Sequence, residues 1–315
     1  MTYPMELQEP AGDLLEAEQA GVYSCRIRPA DALLAVLVAV IWGFAFVVTR
    51  VGLDSFSPPQ LTTLRFLIAA TPAIWWARPL AWRALVPLGL TLFAGQFLMQ
   101  FFAIANGMPP GLASIVVQTQ AFFTILFVAV ASSERPRRGQ MAGIALAFIG
   151  LGLIALTIGG DLRAVGFVLA LGSAISWGIG NVLLKRVVGV DMLSLIVWLS
   201  VIPPVPSLVL SVLLDGPRGL GALVRTTWLG LAAALYLGVV ATVLAYAIWG
   251  RLLRRYPAAT VTPFALVAPI VGAYSSSVIF GERFGGRRLA GMALVLLGVA
   301  ITVLSGSPRD ARVSA

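Results

Sequence analysis

The chain has no histidine, a single cysteine (Cys25) and a single lysine (Lys185) among its 315 residues. Without histidine or a second thiol, a zinc site would have to be built from carboxylates alone and no disulfide framework is available. HExxH and GxSxG patterns are absent, and Lys185 follows leucine, so no Walker loop with its Gly-Lys pair exists. These absences exclude the common metalloenzymes, serine hydrolases and nucleotide-driven pumps, and neither a metal nor a cofactor is expected. Charge is scarce as well, at 11% of residues, where soluble domains carry about 25%.

What is present is apolar. Hydrophobic residues make up 59% of the chain and the mean hydropathy is +0.95, more than a soluble globule can hide. The apolar residues fall in runs long enough to cross a hydrocarbon core about 30 Å thick. Nine polar or Pro/Gly-rich breaks separate the runs, at 54–59, 78–83, 106–110, 134–138, 159–163, 185–191, 215–225, 251–257 and 282–288. The expectation is therefore an all-α integral membrane protein with ten transmembrane helices between residues 31 and 305. Residues 1–30 hold five acids before the first basic residue, Arg26, which is unlike a signal peptide. They are expected to form a disordered cytoplasmic tail, with a second tail at 306–315.

The net charge of +9 could suggest nucleic acid, but its carriers, 21 arginines and one lysine, lie mainly between apolar runs. That is topogenic charge, and no nucleic-acid partner is expected. With the N-terminus inside, fourteen basic residues flank the cytoplasmic side and six the outer side, so both termini are expected in the cytoplasm. The loop carrying Arg283, Arg287 and Arg288 is then basic yet outside.

An internal repeat accounts for that exception. ERPRRGQMAGIALAFIGLGLIAL, from Glu134, aligns without a gap on ERFGGRRLAGMALVLLGVAITVL, from Glu282, with eight of 23 positions identical. Trp42-Gly43 likewise matches Trp177-Gly178, and Phe102-Ala103-Ile104 matches Tyr246-Ala247-Ile248. The halves are 31–157 and 165–305 with five spans each. Because five is odd, the second copy must be inverted, as in many secondary transporters.

WGFAFVVTRVGL, the Arg65 segment LRFLIAATPAI and the two Glu-terminated helices resemble the EamA-type branch of the drug/metabolite transporter superfamily. MPPGLASIVVQTQAFFTI, SWGIGNVLLK, VWLSVIPPVP and RLLRRYPAATVTPFALVAPIVG are similar to its enterobacterial exporters of cysteine and O-acetylserine. The resemblance implies a secondary transporter of the bacterial inner membrane that exports small metabolites such as amino acids, around a cavity bounded by spans three, four, eight and nine. A carrier for drugs or sugar phosphates, and a non-transporting structural or regulatory membrane protein, are the alternatives.

Candidate substrate contacts come from helical spacing. Trp42, Phe46 and Arg50 share one face of the first span, and Ser173, Trp177, Asn181 and Lys185 share its counterpart on the sixth. Trp42, Trp177 and Asn181 are expected to face a cavity, and Arg50 and Lys185 to snorkel to the headgroups. Gln96 and Gln100 on the third span, Ser114 and Gln118 on the fourth, and Thr242 and Tyr246 on the eighth are polar at depths where an unsatisfied group is costly. They either face substrate or bond neighbouring helices. Arg65 is the one charge well inside a span, about 9 Å from its edge by helical rise; it either binds a substrate carboxylate or snorkels outward. Pro203, Pro204, Pro206, Pro263 and Pro269 break main-chain hydrogen bonding in spans seven and nine. Glu134 and Glu282 are expected to pair with the arginine that follows each. With no acid at mid-span, export is expected to run downhill without a proton relay. Gly139 and Gly143 on span five and Ala290 and Gly291 on span ten offer small faces for close packing or for a homodimer through these two helices.

Overall fold

The computed structural model describes residues 27–132, 136–221 and 226–305. Within them the chain is helical, and its only β feature is an isolated bridge between Gly159 and Leu162. The rods in chain order are α1 (Pro29–Gly52), α2 (Pro58–Ala70), α3 (Trp82–Ala105), α4 (Pro110–Ala131), α5 (Arg138–Ala155), α6 (Ala164–Leu184), α7 (Met192–Gly216), α8 (Trp228–Arg255), α9 (Ala258–Phe280) and α10 (Gly286–Ser305). All but α2 are long and apolar enough to cross a membrane; α2 is extended by a 3-10 segment, Thr71–Trp75. The chain is an all-α, multi-pass membrane protein.

Local chemistry sets the helix starts. Proline occupies the first turn of α1, α2 and α4, where its missing N–H is no loss. Ser57 N–H donates to Gln60 Oε1 at 3.1 Å ahead of α2, and Thr227 Oγ1 accepts from Gly230 N–H at 3.1 Å ahead of α8. Gly281, at φ 67°, ends α9 in the left-handed conformation that glycine adopts without strain. α1 begins at Pro29, and residues 1–26 and 306–315, where the two tails are expected, lie outside the described residues.

Contacts between helix ends divide the loops into two sets. At the end where α1 begins, Asp31 meets Tyr256 and Arg255, Trp198 Nε1 donates to the Trp76 carbonyl, and Arg137 reaches Ser305. At the far end, Ser57 binds Asp215, Ser55 binds Thr227 and Arg288 binds Asp161. Successive rods therefore alternate in direction, α2 included.

Helix pairing has a pattern of its own. α1 packs on α9 as α6 packs on α4, and α1 packs on α8 as α6 packs on α3; α2 with α7, α4 with α9 and α5 with α10 are pairs that the same exchange maps onto themselves. Replacing every rod by the one five places along leaves these partnerships unchanged. Irregular segments match too: π-helical turns interrupt α3 (Gly89–Gly95) and α8 (Tyr236–Leu244), and 3-10 turns interrupt α4 (Val117–Thr119) and α9 (Thr262–Leu266).

Two apolar cores result, one around Phe66, Phe93, Leu199 and Leu237, the other around Ile115, Phe122, Ala147 and Val295. Large apolar side chains such as Leu33, Val130, Leu213 and Tyr274 stand exposed on the outside, where lipid is the solvent. α5 and α10 are in main-chain contact through glycine: a Cβ on Gly150 would lie 2.6 Å from the Gly291 carbonyl oxygen, and one on Gly298 2.5 Å from that of Gly143. The small faces of spans five and ten are thus used for packing within the chain.

Candidate functional site

The centre of the bundle is built on Arg65. Thr63 Oγ1 lies 2.7 Å from Ser207 Oγ, tying α2 to α7, and this fixes the face of α2 that turns inward. Arg65 is 3% exposed, so the snorkelling expectation fails. Its guanidinium carbon sits 3.9 Å from the Phe97 ring centroid and 5.4 Å from that of Phe66, and Nε donates to Thr242 Oγ1 at 3.2 Å. Neither Nη atom has a hydrogen-bond partner among the described residues, and none of the carboxylates there reaches it.

The π-helical turns shape what surrounds it. In such a turn one carbonyl loses its regular i+4 partner, and the released groups must be satisfied within the membrane. On α8, Thr242 Oγ1 donates to the Leu237 carbonyl at 2.8 Å and Trp42 Nε1 to the Ala241 carbonyl at 3.1 Å, while Tyr236 reaches across to the Ile41 carbonyl at 3.0 Å. On α3, Ser176 of α6 donates to the Thr91 carbonyl at 2.7 Å. Trp42 is thereby held with its ring centroid 5.2 Å from Tyr246, which lies 6.3 Å from Phe93; Phe93 stacks on Phe66 at 5.0 Å. Arg65, Thr242, Trp42, Tyr246 and these phenylalanines form one buried polar and aromatic cluster between α1, α2, α3 and α8.

Three of the eight sequence-derived contacts, Trp42, Arg65 and Tyr246, meet here. Gln96 Nε2 donates to Gln100 Oε1 at 2.8 Å, a buried pair within α3 that leaves Gln96 Oε1 without a partner. Asn181 donates to Thr124 Oγ1 at 3.0 Å, joining α6 to α4, and Gln118 lies 3.5 Å from Gln120 on α4. Trp177 packs half-buried on the same core as Trp42. Phe66, Phe93 and Phe97 were not anticipated, although Phe93, Phe97 and Phe101 recur every fourth residue on the span that carries Gln96 and Gln100.

The described carboxylates are all at helix ends and all engaged. Asp54 pairs with Arg50 and Asp191 with Arg254. Asp31 accepts from Tyr256 at 2.6 Å, and Asp215 from Ser57 at 2.5 Å. Asp161 receives a two-pronged contact at 2.8 and 3.0 Å from Arg288, which is buried. Glu282 corrects a further expectation: it accepts from the Gly111 N–H at 3.2 Å, at the start of α4, and does not pair with Arg283. Glu134 lies outside the described residues. Glu282 also lines a crevice of about 700 Å³ at the far end, with Arg50, Met108, Asp161 and Arg283.

A lipid-facing bundle of apolar helices around a buried polar and aromatic cluster is the architecture of a multi-pass membrane protein. The family model described as "EamA-like transporter family" matches the chain twice, over residues 30–156 and 164–304. The chain belongs to this family. It is 45% identical over 294 residues to a Salmonella typhimurium protein described as "Probable amino-acid metabolite efflux pump", covering 90% of this chain and 98% of that one. An Escherichia coli K12 protein of the same description is 41% identical over 282 residues, covering 87% and 94%. A Streptantibioticus cattleyicolor protein described as "Probable terminal-alkyne amino-acid exporter" is 26% identical over 277 residues, 84% of this chain and 91% of that one. A solved crystal structure with 19% identity shares the fold at a TM-score of 0.62, covering 90% of this chain and all of that one.

Burial pushes the Glu282 carboxyl above the usual carboxylate range. Between the ordinary value, about 4.3, and the raised one, the folded state holds a proton that the unfolded state has released. Stability therefore falls as pH rises through that window and stays lower above it. Glu282→Gln, which removes the charge and keeps an acceptor for Gly111, should raise the melting midpoint in detergent by about 1–3 °C at pH 8 and leave it unchanged at pH 4. A variant that melts lower at both values contradicts this reading of Glu282.

Proposed function

We propose that the chain is a secondary transporter exporting small amino-acid-type metabolites, cysteine and O-acetylserine among the candidates, through the chamber around Arg65. The observation that carries this is a buried guanidinium without a carboxylate, walled by Trp42, Tyr246 and Phe97: one fixed charge and ring faces are what a small amphiphilic acid requires. The descriptions of the relatives at 45% and 41% identity point the same way. Gln96, Gln100, Gln118, Trp177 and Asn181 complete the substrate path, the last three on α4 and α6.

On this reading the halves 31–157 and 165–305 are inverted five-helix copies that cross the membrane ten times and rock about the centre. Support comes from the exchange-invariant helix pairing, the matched π and 3-10 turns, and the double family match. Both termini are cytoplasmic by the arginine bias, and the far-end crevice then opens outward. A homodimer through α5 and α10 would use their outer faces, where Phe148, Ile149 and Leu297 are exposed, since the glycine faces are occupied. Two single-cysteine variants made on Cys25→Ser test these assignments. A cysteine at Arg283 should label only from outside, and one at Phe148 should cross-link between chains; labelling of the first only from the cytoplasm reverses the orientation, and failure of the second to cross-link removes the dimer.

Export is tested by efflux from proteoliposomes loaded with radiolabelled cysteine, O-acetylserine, threonine and aromatic amino acids. At least one should leave faster than from empty liposomes. Trp177→Ala, Asn181→Ala and Gln118→Ala should each slow it several-fold with the amount of protein in the membrane unchanged. Retention of every compound at the empty-liposome rate favours a structural role.

A further inference from the structure

Away from the helix ends, the described residues bury one full charge, that of Arg65. The described carboxylates are spent at helix ends, on partners such as Arg50, Arg288 and the Gly111 N–H. Arg65 alone is buried with a single neutral hydrogen bond, to Thr242, and with aromatic faces. Ring faces offset only part of the cost of burying a guanidinium, and a hydroxyl is a weak substitute for an anion. A ligand that completes this site has to bring negative charge. A second cation is absent from the chamber, so the complement is one charge and not the two of a phosphate monoester.

The amino end of a substrate meets a different environment. No described carboxylate lies within reach of the chamber to pair with an ammonium. The groups beside the guanidinium that an N–H could meet are uncharged, the ring faces of Trp42 and Tyr246. Ring faces attract an ammonium more than an amide N–H, but the Arg65 guanidinium beside them repels it, and only an anion would favour the charged form strongly.

Resting on the export reading above, we propose that the chamber selects its substrate by a single carboxylate and not by an ammonium group, so that it exports N-acylated amino acids alongside free ones and rejects amino-acid amides and phosphorylated metabolites. The selectivity follows from monopolar charge: removing the amine leaves the Arg65 contact whole, and removing the carboxylate leaves the guanidinium bare. A second negative charge would enter the membrane interior without a counter-charge, which is disfavoured for the same reason.

The experiment compares efflux from proteoliposomes carrying the full chain for two series: threonine, N-acetylthreonine, threoninamide and O-phosphothreonine; and phenylalanine, N-acetylphenylalanine and phenylalaninamide. Rates are taken above those of empty liposomes. In at least one series the N-acetyl compound should leave within about threefold of its parent and the amide at least tenfold more slowly, and phosphothreonine should be retained. Arg65→Lys should lower the rates and keep this order; Arg65→Gln should bring the ratio of acid to amide close to one, a change that loss of folded protein cannot produce. Efflux of the amino acids without their N-acetyl derivatives, or of the amides as fast as the acids, overturns the carboxylate rule and leaves the export reading standing. Retention of both series while another amino acid of the panel moves also overturns the rule, and retention of everything overturns both. If the Arg65 variants do not fold, the wild-type comparison decides alone.

Discussion

In hydrocarbon a main-chain carbonyl released from its helix has no water to turn to, and in this chain that constraint shapes the chamber. In the π-helical turn of α8 the Leu237 and Ala241 carbonyls accept from Thr242 and Trp42. These bonds leave Thr242 Oγ1 pointing its lone pair at Arg65 and hold the Trp42 ring against Tyr246. The side chains around Arg65 are thus anchored on main-chain carbonyls of an irregular turn, in keeping with the general association of π turns with functional sites.

Arg65 occupies this chamber as an unfinished interaction. Burial of a cation against rings and one hydroxyl costs stability that a different side chain would not, and membrane proteins retain such groups where something binds. The far-end ties, Arg288 to Asp161 and Glu282 to the Gly111 N–H, are completed interactions by contrast. Completed contacts at the ends and an uncompleted one at the centre are what a carrier needs when its ends open in turn and its middle waits for cargo.

Much of this architecture was legible in the sequence. Apolar runs of membrane length gave the rods, because no other use of that much apolar surface is available to a chain with so few charges. Proline at 203, 204 and 263 marked interruptions found at Ser200–Pro203 in α7 and at Thr262–Leu266 in α9. Of the site, Trp42, Arg65 and Tyr246 were visible by residue type and helical face. Phe66, Phe93 and Phe97 were not, because phenylalanine in a membrane span has no signature separating a chamber wall from lipid-facing packing. The π turns were equally silent: no residue preference forces them, and they emerge from packing between helices. Glu282 was misjudged because its partner, the Gly111 N–H, is brought to it by the fold from more than a hundred residues away and outcompetes its sequence neighbour.

The claim that Arg65 awaits an anionic ligand predicts an unusual stability balance, and the melting midpoint of Arg65→Met in detergent tests it most directly. Removing an uncompensated buried charge in favour of an apolar side chain of similar reach should leave the ligand-free protein melting at or above the wild-type temperature. The rise that a saturating amino-acid substrate gives the wild type should disappear. A variant that melts several degrees lower without ligand yet keeps the substrate-induced rise would mean that Arg65 is structural and that the carboxylate binds elsewhere.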